Sequence, residues 1–223
     1  MRQNHSKETI ILYTRGEDIF CMISHIVGGA VGIAAAALCV TVAALHHNTY
    51  GIISSAVFGG MMIVYYCMSS IYHGLKPRLT AKKVFRVLTQ CAMFLLTAST
   101  YSALALCVVR EQNAVLGWIY FGILWGIAVA GILFNSLALE KFKIVSLVLY
   151  LVSWWSAAII TPVLYSGMGI AGICLLLGGA LFYTTGVIFY MLDQKRNGLH
   201  AFSHLLLLAG NLCQGLCVLL FVI

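Results

Sequence analysis

The feature that most constrains this chain is a series of seven apolar runs, each about 20 residues or longer, separated by short polar breaks. The breaks fall near 46–50, 74–83, 110–113, 138–143, 165–169 and 193–198, where charges, glycines and polar turns interrupt the hydrophobicity. A helix rises about 1.5 Å per residue and the hydrocarbon layer is about 30 Å thick, so each run is long enough to cross it. The runs are continuous rather than alternating, which excludes a transmembrane barrel. Expected spans are 18–45, 51–73, 84–109, 114–137, 144–164, 170–192 and 199–222. Composition agrees, because 62% hydrophobic and 9% charged residues do not suit a soluble domain of 223 residues. The first run is too long, and too poor in a small-residue cleavage site, for a removable signal peptide, so it reads as a permanent span. The expectation is an all-α integral membrane bundle of seven transmembrane helices. With no internal repeat and no linker, it reads as a single domain over 1–223, with 1–17 as a cytoplasmic N-terminal segment.

Lysine and arginine in short loops are retained on the cytoplasmic side. Of the 13 such residues, all but Arg110 fall on one side: Arg2, Lys7, Arg15, Lys76, Arg78, Lys82, Lys83, Arg86, Lys141, Lys143, Lys195 and Arg196. This puts the N-terminus in the cytoplasm and, after seven crossings, the C-terminus outside. The Lys76 to Arg86 cluster then reads as a topology signal that also attracts anionic headgroups, and no nucleic-acid motif competes with it. The expected partners are membrane lipids, the expected location the cell membrane. The eight cysteines all fall within the expected spans without CxxC spacing and read as small buried apolar residues.

Ionisable groups inside a membrane are costly and are usually kept for a task. His73 ends the second span, His200 and His204 open the seventh, and His25 lies about two turns into the first, all at a similar depth. His200 and His204 are four residues apart, so their rings share a helix face and suit one metal ion. His73 supplies a third ligand if spans two and seven are neighbours. Three histidines with an open fourth position form the pattern of a catalytic zinc rather than a closed structural one. The competing reading is of interfacial histidines bonded to neighbouring helices or headgroups. Ser69 stands one turn before His73, and serine in a span more often bonds to its own helix backbone. His5, His46 and His47 read as solvated.

At these residues the chain resembles the hemolysin III family, bacterial members of the progestin and adipoQ receptor superfamily. The resemblance covers nearly the whole length. It includes Ser-Ser-Ile-Tyr-His ending at His73, Val84-Phe85-Arg86, Ala98-Ser99-Thr100-Tyr101 and Leu149-Tyr150-Leu151. Gly198-Leu-His-Ala-Phe-Ser-His204, followed by Leu207-Leu-Ala-Gly210, is its strongest part. The resemblance implies seven helices with the N-terminus inside and a zinc ion near the inner leaflet held by three histidines, matching His73, His200 and His204. It also implies a serine four residues before the first ligand, matched by Ser69, and an acidic residue with a later histidine in span one, matched by Asp18 and His25. The chain departs where the family reads Asp-His and this sequence reads Thr89-Gln90, where Asn is replaced by Cys21, and where a histidine is replaced by Gln214.

Two functions follow as expectations. In the first, zinc lowers the pKa of a bound water and the protein hydrolyses a lipid amide or ester. The resemblance adds ceramide-like amides as the substrate class. That chemistry needs a proton carrier, and Thr89 replaces only the orienting half of the role, which leaves Asp18 as the substitute. Asp18 otherwise reads as a charge favoured at a helix N-terminus. In the second, the protein is a membrane-homeostasis or cytolytic protein and zinc only clamps spans two and seven. No span carries a polar stripe suited to a pore. A retinal protein is excluded because the last span holds no lysine, and the inside N-terminus argues against a G-protein-receptor architecture.

Overall fold

The computed structural model describes residues 13–193 and 198–223. Among these, the helices are α1 (Arg15–Leu45), α2 (Thr49–Gly74), α3 (Thr80–Gln112), α4 (Ala114–Ala138), α5 (Lys143–Ile159), α6 (Thr161–Asp193) and α7 (Leu199–Phe221). Six are long and apolar enough to cross a membrane, and α5 is a shorter apolar helix of 17 residues. The expected all-α, seven-helix membrane architecture is therefore present. Arg2, Lys7, His5, Lys195 and Arg196 lie outside the described residues, while His46 and His47 are exposed.

The helices form a ring in which α1 packs on α2 and α7, and α6 packs on both α5 and α7. α3 sits inside it, touching α2, α4, α5 and α7. Its most apolar stretch is 89% buried, against 22% for α1, which identifies α3 as the central helix. Apolar side chains such as Ile33, Leu137, Ile159 and Leu220 point outward, as contact with membrane lipids requires. Inside, Phe94, Tyr101, Tyr150, Trp154 and Leu176 form the core.

The helix ends are set locally. Thr14 caps α1 with Glu17 in a reciprocal capping box, and Asn48 and Asn113 cap α2 and α4 through Gly51 N–H and Leu116 N–H. The fifth span was expected to run to residue 164, but its helix stops at Ile159. Pro162 cannot donate to the helix ladder and its ring crowds the preceding turn, so the chain breaks at Ile160 and restarts. The expected break at 165–169 survives as Gly169, whose φ of 64° interrupts α6. Gly198, at φ 96°, makes the corresponding turn into α7. Both values favour glycine, which has no Cβ to clash.

Candidate metal centre

The N-terminal ends of α1, α3 and α7 and the C-terminal end of α2 meet around the histidines. Capped by Thr14, α1 presents Asp18, Cys21 and His25 at spacings of three and four residues, on one face. The last two turns of α2 carry Ser69 and His73, and the first two turns of α7 carry His200 and His204. His25, His73 and His200 are each 3% exposed or less. The His73 ring lies 5.4 Å from that of His200 and 4.9 Å from that of His204, so α2 and α7 are neighbours as the ligand set required.

The hydrogen bonds sort the ring nitrogens. His73 Nδ1 lies 3.0 Å from Asp18 Oδ1, and a carboxylate only accepts, so Nδ1–H donates. His73 Nε2 is then left without a hydrogen, buried and without a partner among the described residues. His204 Nδ1 lies 2.8 Å from His25 Nε2, which leaves His204 Nε2 facing His200 Nε2 at 3.1 Å. His200 Nδ1 faces Asp193 Oδ2 at 4.0 Å with no closer partner. His73 and His204 thus each have one nitrogen held by a neighbouring side chain, while His200 Nδ1 faces the Asp193 carboxylate at a longer distance. Zinc–nitrogen bonds of about 2.0–2.1 Å in a tetrahedron place ligand nitrogens about 3.3 Å apart, close to the His200–His204 spacing.

Two further ties hold this arrangement. Lys82, 1% exposed, donates from Nζ to Asp18 Oδ2 at 2.9 Å and to the Leu75 carbonyl at 3.1 Å, joining α1, α2 and α3. It also lies 5.1 Å from the Tyr72 ring centre. Within the Lys76 to Arg86 cluster, Lys82 thus also makes a structural contact, and Arg86 pairs with Glu140. A buried ammonium is tolerated here because carboxylate, carbonyl and aromatic face replace its water. Asp193 in turn accepts from the His200 N–H at 2.9 Å and caps α7 from the end of α6.

A cavity of about 90 Å³ adjoins the histidines, lined among others by Ser69, His73, Thr89, Arg86, His200 and His204. Ser69 Oγ and Thr89 Oγ1 are buried on its wall with no hydrogen-bond partner among the described residues. Gln90, beside Thr89, accepts from the Tyr150 hydroxyl through its carbonyl at 2.7 Å. Tyr13 stacks on His200 with ring centres 3.7 Å apart. Asp18, expected as a proton carrier, is engaged by both His73 and Lys82.

Sequence reasoning put His25, His73, His200 and His204 at a similar depth and named Ser69, Thr89 and Asp18 as candidates for the same site, and the structure brings all seven together at one end of the bundle. It missed Cys21, which with the three histidines forms a group whose potential ligand atoms lie within 4.8 Å of one another. The spacing Asp18, Cys21, His25 carried that signal. Lys82 and Asp193 carried none, because each acts through a contact between helices.

A multi-pass membrane bundle with a buried histidine centre at one end defines the class of protein. Within that class the chain belongs to the hemolysin III family, whose description, Haemolysin-III related, matches residues 13–215. It is 30% identical over 208 residues to Hemolysin-3 of Bacillus cereus, covering 93% of this chain and 92% of the relative. It is also 30% identical over 210 residues to the Hemolysin-3 homolog of Bacillus subtilis (strain 168), covering 94% and 96%. No solved structure matches the chain significantly. Spans and family together make it a multi-pass protein of the bacterial plasma membrane.

Proposed function

We propose that this protein is a zinc-binding membrane protein of membrane homeostasis, in which His73, His200 and His204 hold the ion near the cytoplasmic face and fasten α2 to α7. The observation that carries the reading is the pairing pattern of the rings. Asp18, His25 and Asp193 each face one ring nitrogen of a histidine, which leaves the other nitrogens turned toward a common point, with His200 Nε2 and His204 Nε2 3.1 Å apart and His73 Nε2 unpartnered. Ligating histidines are held in this way by outer partners, which fix tautomer and ring orientation. Zinc suits an imidazole set, and geometry rather than affinity alone separates it from other divalent metals. When bound, the ion supplies Lewis-acid chemistry and a cross-link between helices.

The cavity favours a second reading, zinc-dependent hydrolysis of a lipid amide or ester. Its two unpartnered hydroxyls, Ser69 and Thr89, would hydrogen-bond a substrate carbonyl or a water beside the histidines. Neither hydroxyl takes up a proton at neutral pH, so the carrier must be a carboxylate. Asp18, Asp193 and Glu140 are the nearby candidates, and all three have partners. The clamp needs no carrier and is the better-supported reading. Cytolysis, which the relatives' names suggest for them, is the remaining alternative and requires no zinc chemistry.

Metal analysis of the purified protein beside His200→Ala tests the site. One zinc per chain is expected in the wild type and strong loss in the variant. Zinc missing from the wild type, or undiminished in the variant, overturns the three-histidine centre. With zinc present, fatty-acid release from a panel of amide and ester lipids separates the readings, and turnover by zinc-loaded protein that ceases on zinc removal would establish the hydrolase.

A further inference from the structure

We infer that Cys21 is the fourth ligand of the centre, so that the ion is enclosed by three imidazoles and one thiolate. The inference rests on the proposal that His73, His200 and His204 hold a divalent ion. Cys21 is fully buried, and its sulfur lies within 4.8 Å of one potential ligand atom on each of the three histidines. Its neighbours on the same helix face already serve the centre, since Asp18 holds His73 and His25 holds His204. About two turns of α1 therefore aim three consecutive face positions at the same region. His73 Nε2, 3% exposed as a residue and without a partner, is the independent sign that something positive belongs there. Zinc–sulfur and zinc–nitrogen bonds of about 2.3 and 2.0–2.1 Å give tetrahedral sulfur–nitrogen edges of about 3.6 Å. The potential ligand atoms, now within 4.8 Å of one another, would close to that distance on binding.

In the binding step the Cys21 thiol gives its proton to solvent and its sulfur donates an electron pair to the ion. No oxidant or reductant is needed.

A closed position changes what the centre does. Four protein ligands mark a structural zinc, whereas catalysis needs a position for water or substrate. The metal then joins α1 as well as α2 and α7.

The test uses the full-length protein in detergent with cobalt(II) in place of zinc. A thiolate-to-cobalt charge-transfer band is expected in the near ultraviolet. It should disappear in Cys21→Ser, which still binds cobalt through the histidines with affinity lowered about tenfold or more, and persist in Cys67→Ser. Cobalt bound by the wild type without the band overturns Cys21 ligation and leaves the three-histidine centre standing. Persistence of the band in Cys21→Ser also overturns it. Failure of the wild type to bind either metal defeats both proposals. X-ray absorption at the zinc edge of the wild type requires no variant, and one sulfur with three nitrogens is expected. A shell of nitrogen and oxygen alone rules the thiolate out.

Discussion

At the scale of single residues, the centre depends on side chains that never touch the metal. Asp18 shows the principle, because one carboxylate oxygen holds the His73 ring while the other is held by Lys82. Asp18→Asn keeps an acceptor for His73 but loses the ion pair, and an outer partner of this kind contributes about 10–100-fold in metal affinity. Competition with a chelator should therefore show zinc retention falling by that factor, and unchanged retention would count against the orienting role. Lys82→Met addresses the same pair from the other side. It leaves Asp18 Oδ2 unpaired in a largely buried place, where breaking one partner of an ion pair costs about 3–5 kcal/mol. The expected result is a clear fall in Tm in detergent even with zinc in excess.

At the scale of elements, α1 carries Asp18, Cys21 and His25, so its seating on α2 decides whether they reach the histidines. Gly59 sits against Ala36, where an added Cβ would overlap both Cβ and Cα, whereas Gly60 faces open space. Small residues let membrane helices approach closely, and overpacking such a contact costs about 1–3 kcal/mol. Gly59→Val should lower Tm and loosen metal binding together, while Gly60→Val changes neither. Equal effects from the two substitutions would argue that α1 is not positioned by this contact. The break between α5 and α6 shows local chemistry overriding apolar continuity. Hydrophobicity runs on to residue 164, yet Pro162 ends the helix early.

At the scale of the whole molecule, the ring of helices closes by packing α7 against α1, which brings the last span back to the first two. This joins residues about 180 positions apart into one centre, as in the bond between His25 and His204. Its depth follows from orientation, which the distribution of lysine and arginine predicts with the N-terminus inside. Epitope tags test this directly: an N-terminal tag should be protected from external protease in intact spheroplasts and a C-terminal tag should be cleaved. The reverse pattern would move the centre to the outer face.

Seven spans and their alternation were legible in the sequence because the membrane imposes one rule everywhere, that backbone polar groups be satisfied inside apolar helices about 20 residues long. The HxxxH pair was legible for a similar reason, since helical periodicity puts positions four apart on one face. Partners that depend on which helices are neighbours were not. Lys82 reads as a loop charge until α3 is placed against α1, and Asp193 reads as a loop residue until its carboxylate meets the start of α7. Cys21 reads as one more small apolar residue until its helix face is turned toward three histidines. The sequence alone thus determined the spans and the three histidines at a common depth, through rules that act within one helix. Tertiary structure alone decided which groups hold those histidines and what surrounds them, because such contacts are made between helices far apart in the chain.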